Sequence, residues 1–468
     1  MKKVILIKLR SSVFFKTPPL GIGYLLKALE EVEDVKPEFI DCQLLDLCPD
    51  RLIDRLRQFR RPLLIGFQVF SEHFPQLAYL APRLRRIFPE TVLIAGGPHP
   101  SGAPEQTLRN VPDLDYLVKG EGEETLKALV RFLPGEIDRA KLDGIPNLVY
   151  REGEDLKFTF RRMVDVERYR APAWEKLHPE NYPPVQHGTF HKSRKVVPII
   201  TSRGCPYPCT YCAGHLLTGK RIRRRRPDDI VDEIEFLQAR YGFEEFIVED
   251  ENFTFYREHV REVVDELERR SLRCYFSFPN GIRIDRIDSE IVDDLRRMGA
   301  YMVTVGLESG SRRTLRAMKK NLDPEQVRKG IRLLKEAGII VSGAFILGFS
   351  SETMEDVEAT IRFAIDSGID QAYFGNYMPL PGSEDFNRLI DTGELKMEEI
   401  DWESYTSYYG KIPYHPPGLS QKELLQTIRR ATLRFYLRPK IIWGFLKRVK
   451  HPVFIRNIFF RFKSLFLR

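Results

Sequence analysis

At 468 residues the chain is long enough for two or three domains, and its 43% hydrophobic content is that of a globular protein with a sizeable core. No run of about 18 apolar residues occurs, which argues against a membrane span. The net charge of +8 does not describe a basic protein: residues 434–468 hold ten Lys or Arg and no Asp or Glu, so the body is near neutral.

The opening stretch MKKVILIKLRSS is apolar but broken by Lys8 and Arg10. It is too short for a signal-peptide core and reads as a strand. Five apolar runs follow one another at 4–8, 38–42, 63–70, 92–95 and 116–118. Amphipathic segments at 21–31, 51–59, 77–88, 104–109 and 123–132 separate them. Strands spaced by helices of this length predict right-handed crossovers and a five-stranded doubly wound parallel sheet. Such a sheet binds ligands at the carboxyl ends of its strands. Those ends read PPLGIGYL around Gly21, GGPHPSG with Gly96, Gly97 and His99, and KGEGEET with Gly120 and Glu121. Glycines there let the backbone approach a flat or phosphate-bearing ligand.

Taken together and in this order, these ends resemble the cobalamin-binding domain that precedes the radical domain in one large enzyme subfamily. That subfamily includes C-methyltransferases and the anaerobic magnesium-protoporphyrin cyclase type. Many cobalamin domains carry a D-x-H-x-x-G motif whose His ligates cobalt. Here the segment reads Asp41-Cys42-Gln43-Leu44-Leu45-Asp46, with Gln43 in the place of the His and Asp46 in that of the Gly. His99 is the other candidate, and the departure leaves open a domain that binds no cobalamin. Residues 1–135 are assigned to this cobalamin-binding-like domain.

Residues 136–194 have weak periodicity. Runs at 148–151 and 157–161 flank Glu152-Gly153 and predict a hairpin, and four prolines follow. This segment is expected to be a connector wrapped on the surface, with Tyr169, Trp174 and Tyr182 packing between domains.

From 195 to 383, six strand-like runs occur at 197–201, 245–248, 273–277, 302–306, 340–347 and 371–377. Helical patterns lie between them at 228–240, 257–270, 289–298, 324–337 and 354–365, with Asp323 as an expected N-cap before Pro324. The loop after the first run reads TSRGCPYPCTYCAG and holds Cys205, Cys209 and Cys212, while Cys42, Cys48 and Cys274 are scattered. Three thiolates on one short loop suit a soft metal or an iron–sulfur cluster, whereas a structural zinc site closes with four ligands. Pro206 and Pro208 stiffen the loop. The C-x3-C-x2-C spacing, with Tyr211 before the last Cys, resembles the cluster motif of the radical S-adenosylmethionine superfamily. The resemblance implies a partial (β/α)6 barrel with its active site at the carboxyl ends of the strands, a 4Fe-4S cluster held by the three cysteines, and S-adenosylmethionine on the open iron. It assigns Tyr211, Glu249, Asn280, Arg283, Glu308 and Gly348 to cofactor contacts. The basic run KRIRRRR at 220–226 reads either as a solvated face or as a contact to an acidic group.

Residues 384–468 are expected to be helical, to cap the barrel and to end in a basic, aromatic tail. A basic amphipathic helix of that kind suits an anionic membrane surface, or packs on the body; nucleic acid is the weakest of the three fits. The fold class expected is therefore α/β: a doubly wound parallel sheet, a partial (β/α)6 barrel and a helical C-terminal region. The function expected is that of a cobalamin-dependent radical S-adenosylmethionine enzyme, which methylates or rearranges an unactivated carbon of an apolar or tetrapyrrole-like small molecule through a 5′-deoxyadenosyl radical. The alternatives are a radical enzyme without cobalamin, its front domain serving substrate or partner binding, and a non-enzymatic iron–sulfur electron carrier. A flavodoxin- or ferredoxin-type electron donor is implied, and a reducing cytoplasm, at or away from the inner membrane surface, is the natural setting for the thiolates.

Overall fold

The computed structural model describes residues 2–12, 16–133, 138–183, 191–406 and 412–448. The chain forms two compact units. One comprises Met1–Pro183, Cys212–Arg223 and Leu380–Thr406; the other comprises Pro184–Tyr211, Arg224–Pro379 and Ser407–Arg468.

The first unit is built on strands β1 (Lys2–Lys8), β2 (Val35–Asp41), β3 (Leu64–Gln68), β4 (Val92–Gly96), β5 (Tyr116–Val118), β6 (Leu148–Glu152) and β7 (Asp155–Phe158). They form one sheet in the order β2-β1-β3-β4-β5-β6-β7. The first five strands are parallel, with Val4 opposite Leu64 and Leu64 opposite Val92. Val4–Ile7 are buried without a break, as a strand covered on both faces requires. The strand order reverses between β1 and β3, which places the ligand-binding crevice of such a sheet at their carboxyl ends.

The hairpin expected in a surface connector is instead the far edge of this sheet. β6 pairs antiparallel with β5, Tyr116 opposite Tyr150, because Leu148, Val149 and Tyr150 have apolar surface to bury there. β7 carries Asp155 and Lys157 at the open edge, where charge discourages a further strand. The three aromatics of the segment are also used inside this unit. Tyr182 donates to Asp41 (2.7 Å), Tyr169 donates to Glu124 (2.7 Å), and Trp174 is buried. Gly23 makes room for this packing: a Cβ there would lie 2.6 Å from Leu177 and 2.7 Å from Pro172.

The second unit carries β8 (Val196–Ile199), β9 (Glu245–Val248), β10 (Tyr275–Ile282), β11 (Ala300–Glu308), β12 (Ile340–Leu347) and β13 (Gln371–Asn376). Each pairs in parallel with the next, in the order β13-β12-β11-β10-β9-β8. The helices between them start as their sequences direct. Asp323 caps Pro324–Glu336 by accepting from Glu325 N, and Thr353 and Asp356 form a capping box at Met354–Asp366. β10 runs beyond the expected 273–277. It slips register between Phe278 and Ile282, where Gly281 takes φ +102°, so Pro279 and Asn280 lie within the strand rather than after it.

After β13 the chain contributes Leu380–Thr406 to the first unit, so the segment expected to cap the barrel as one piece is divided. Helix Gln421–Tyr436, opened by a Ser420–Glu423 capping box, then packs on β13: Phe435 lies against Phe374, and Tyr436 Oη donates to Ala372 O at 2.9 Å. Helix Pro439–Arg448 follows. Tyr408, Tyr409 and tail residues 449–468 lie outside the described residues. Among the described residues no helix is long and apolar enough to cross a membrane.

Candidate active site

In the second unit, the loop after β8 is fastened at both of its ends. At its start, Asp250, just beyond β9, accepts from Thr201 N (2.7 Å), Thr201 Oγ1 (2.6 Å) and Ser202 Oγ (2.6 Å). Asp250 is fully buried, and burial pushes its carboxyl up to about 6 against these bonds, which favour the charge. Glu251 next to it accepts from Gly204 N at 3.1 Å, where φ of +106° calls for glycine. At the far end, Thr210 N donates to Met318 O and Thr210 Oγ1 to Ala317 O, both at 3.1 Å. Between these anchors Tyr207 is held by cations. The Arg283 guanidinium lies 4.0 Å from its ring centroid, and Arg286 Nε donates to its hydroxyl at 3.2 Å.

The loop thus presents Cys205 and Cys209 half-buried. Cys212 follows Tyr211, is exposed, and accepts from Gly214 N at 3.3 Å. None of the three is in a disulfide. Among the described residues no three His, Cys, Asp or Glu side chains are already drawn together as a metal site. The donor chemistry nevertheless fits an iron–sulfur cluster: three thiols in no disulfide follow one another along Cys205–Cys212, too few to close a zinc site and enough to leave one iron of a four-iron cluster open.

The strand ends beside this loop carry a linked set of polar groups. Glu308 ends β11 at φ +60°, a left-handed conformation unusual for a side chain of this size. Its Oε1 accepts from Tyr211 Oη (2.9 Å) and from Lys320 Nζ (3.0 Å). Burial is the largest influence on the Lys320 ammonium and would lower it, but the negative charges of Glu308 and of Cys209, with the hydrogen bond to Glu308, together raise it. Gly306 provides the space: a Cβ there would stand 2.5 Å from Glu308 Oε1 and 3.1 Å from Lys320 Nζ. Lys320 was missed from sequence. Its only signal is a Lys-Lys pair after a helix, Arg312–Ala317, too short to show a period.

The other expected contacts are placed as follows. Asn280 is exposed and donates to Glu249 O at 2.9 Å, joining the ends of β9 and β10. Arg283 forks onto Asp285 (2.8 and 2.7 Å), while its Nη1 is buried with no hydrogen-bond partner among the described residues. Gly348 has φ +81°, and its N–H and that of Phe349 donate to Glu352 at 2.8 and 3.1 Å. Glu352 is pushed up to about 7 by burial. The basic run is partly solvated and partly committed: Lys220, Arg221, Arg224 and Arg226 are exposed. Arg225 is buried against Glu233 (2.6 Å), Arg226 pairs with Asp228, and Arg224 lies over Tyr256.

In the first unit, the strand ends near the β1/β3 reversal are formed largely by backbone. Gly97 has φ +106°, and a Cβ there would approach Val69 O to 3.0 Å. Gly96 ends β4. Gly120, at φ +97°, donates its N–H to Ser101 Oγ (2.9 Å). Gly21 lies in the first turn of helix Leu20–Leu29 rather than in a loop. A Cβ at Gly97 or Gly120 would meet the protein's own backbone, at Val69 and Leu216, so these glycines are required by the packing of the strand ends; the reversal point they border is where a broad, flat ligand such as a corrin would lie.

Two expected cofactor contacts are committed elsewhere. Glu121 accepts from both nitrogens of Arg223 (2.7 and 2.8 Å) and from Val164 N (2.7 Å). His99 is fully buried, with Nδ1 3.1 Å from Ser71 Oγ and Nε2 3.2 Å from Gln106 Oε1. Its ring packs between Phe74 and Trp402, and burial lowers it to about 4, so it is neutral. Neither nitrogen is left for a metal. Gln43, in place of the motif His, accepts from Ser11 N at 2.8 Å.

Comparison with known proteins agrees with this division. Residues 7–130 match the B12 binding domain, and residues 199–364 match the radical SAM superfamily. The chain is 29% identical to an uncharacterized methyltransferase of Pyrococcus horikoshii over 91% of this chain and 89% of that protein. It is 27% identical to the anaerobic magnesium-protoporphyrin IX monomethyl ester cyclase of Rubrivivax gelatinosus over 90% and 74% of the two chains. The fold is similar to that of the radical S-adenosylmethionine methyltransferase TsrM of Kitasatospora setae, solved with cobalamin and a 4Fe-4S cluster bound. The TM-score is 0.72 at 19% identity, covering 94% of this chain and 92% of that one. The chain thus carries a B12-binding domain at 7–130 ahead of a radical SAM domain at 199–364, and is an enzyme whose cofactors are a 4Fe-4S cluster, S-adenosylmethionine and cobalamin.

Proposed function

We propose that the enzyme transfers a methyl group to, or closes a ring at, an unactivated carbon of an apolar or tetrapyrrole-like small molecule. The observation that carries this is the presence in one chain of a cysteine loop beside the Glu308–Lys320 pair and of a parallel sheet whose strand order reverses between β1 and β3, with glycines at its strand ends. The names of relatives, a methyltransferase and a cyclase, support the same reaction classes. When bound, the cluster and S-adenosylmethionine supply a 5′-deoxyadenosyl radical and cobalamin supplies a methyl carrier.

The chain's own residues bind and orient. Cys205, Cys209 and Cys212 hold the cluster. Lys320 and Arg283 are the cations placed to meet an amino-acid carboxylate, and Glu308 and Glu249 are the acceptors for an ammonium or ribose hydroxyls. Asn280 fixes Glu249 through its carbonyl, and the backbone turn at Gly348 offers a surface for a purine. Tyr211 links the thiol loop to Glu308. Gly21, Gly96, Gly97 and Gly120 let backbone approach a corrin, and Phe70, 44% exposed just past β3, adds an apolar ring at the same end of the sheet. Holding the reactants together and away from water is the protein's share of the rate.

A low-potential donor of flavodoxin or ferredoxin type delivers the electron, and the basic C-terminal segment meets an anionic membrane surface. The carrier alternative leaves the buried Glu308–Lys320 pair without a use. Anaerobic reconstitution followed by S-adenosylmethionine tests the reading. 5′-Deoxyadenosine above a Cys209→Ala control, with cobalamin retained on gel filtration, is expected. Absence of the nucleoside sinks the enzyme reading; absence of cobalamin leaves radical chemistry without the methyl carrier.

A further inference from the structure

Helix Gln421–Tyr436 buries Leu424, Thr427, Ile428, Ala431, Thr432 and Phe435 along one stripe. Its other side, through Gln426, Arg429, Arg430, Leu433, Arg434 and Leu437, lines an open groove. These positions recur at three and four residues, so they form one continuous helix face. Its cations outnumber its acids: Arg430 and Arg434 share the single carboxylate of Glu358. Beyond the groove the chain turns into helix Pro439–Arg448. Leu437 is 60% exposed, Ile442 43% and Trp443 61%, and no other described large apolar side chain is as exposed as Leu437 or Trp443.

A solvent-facing surface does not ordinarily combine such apolar exposure with arginines. The occupant must therefore supply anionic groups and an apolar phase together. The chain's own remaining tail, residues 449–468, contains Lys450, Arg456, Arg461, Lys463 and Arg468 and no acid, so it would add positive charge to a positive groove. A second copy of the same face fails for the same reason. Nucleic acid would neutralise the arginines but offers Leu437 and Ile442 no apolar phase. A bilayer with anionic headgroups provides both: phosphates for the guanidiniums and an acyl boundary for Leu437, Ile442 and Trp443.

We infer that the outward face of helix Gln421–Tyr436, continued by Leu437, Ile442 and Trp443, seats the enzyme on an anionic lipid surface. This rests on the membrane reading of the C-terminal segment and assigns it to a folded surface rather than to the tail's charge alone.

Flotation of the full chain with vesicles tests it, comparing phosphatidylcholine alone with an equal mixture of phosphatidylcholine and phosphatidylglycerol. Binding is expected only with the mixture, and is expected to weaken as salt is raised. Arg429→Glu with Arg430→Glu is expected to weaken it about tenfold or more. Leu437→Ser with Trp443→Ser should do likewise. The conservative Trp443→Phe should bind as the parent does while losing a membrane-induced shift in tryptophan fluorescence, which keeps the test valid if a harsher variant folds poorly. No flotation of the parent chain overturns both this inference and the membrane reading. Undiminished flotation of the groove variants, with no fluorescence change traceable to Trp443, overturns the inference and leaves the tail reading standing. Displacement from the mixed vesicles by single-stranded RNA assigns the face to nucleic acid and overturns it too.

Discussion

Glu308 and Lys320 form a buried ion pair, Oε1 to Nζ 3.0 Å, in which the carboxylate stands on a left-handed residue at the end of β11. The pair links the strand end to the cysteine loop through Tyr211. An ion pair out of water is costly to break by removing one partner, because the other stays charged and unpaired. Lys320→Met is therefore expected to destabilise the protein by about 3 kcal/mol. Adding Glu308→Gln should recover part of that loss. Urea unfolding of the single and double variants measures it, and strictly additive losses would show that the two groups are not coupled.

Gly306 bears on the same pair from two residues earlier on β11. A methyl there would meet the carboxylate at 2.5 Å, well inside contact distance. Gly306→Ala should displace Glu308 and weaken S-adenosylmethionine binding, as read by calorimetry on the reconstituted protein. Unchanged affinity would mean that Glu308 does not touch the cofactor.

Two carboxyls predict how stability follows pH. Burial raises Asp250 to about 6 and Glu352 to about 7, both above the ordinary range. The folded state thus holds these protons more tightly than the unfolded chain, and their contribution to stability falls as pH rises from about 4 through 7. For Glu352 the full difference is about 3 kcal/mol as an upper figure. Glu352→Gln and Asp250→Asn should each flatten the decline of unfolding free energy across that window. A slope identical to that of the parent would place the titration elsewhere.

Cobalt in the bound cofactor should lack a histidine ligand from the B12-binding domain. Both nitrogens of His99 are bonded and Gln43 replaces the motif histidine, while His73 accepts from Phe70 N at 3.3 Å through Nδ1 and keeps its Nε2 buried, 3.7 Å from Glu72 Oε1. The electron paramagnetic resonance spectrum of the cob(II)alamin form should show no nitrogen superhyperfine splitting, and Phe70→His should introduce it. Splitting in the unaltered protein would refute the assignment.

Much of this was legible in the residues because parallel strands covered on both faces read as unbroken apolar runs, as in Val4–Ile7 and Val196–Ile199. The cysteine loop was legible because its ligands are close in sequence. The hairpin Leu148–Phe158 was legible as a hairpin, but its sheet partner, β5, is a tertiary choice that no local pattern encodes. Lys320 stayed hidden because a buried lysine beside an exposed one looks like any pair of lysines. Arg225 was misread in the same way, since a run of arginines does not reveal which one turns inward. Glu121 and His99 were read as ligand contacts from their place at strand ends, yet nearby partners within the first unit claim their polar atoms.

Trp402 closes on His99 and Phe74, although it emerges from the ribosome only after all six strands of the second unit. The amino-terminal sheet precedes the second unit in the chain but cannot acquire the Trp402 packing until all six strands of that unit have been translated. Folding is thus interleaved rather than sequential. A nascent chain stalled before Leu380 would expose the Phe74–His99 face to chaperones or proteases, and the B12-binding region would be a poor candidate for expression as an isolated fragment ending at its own sheet.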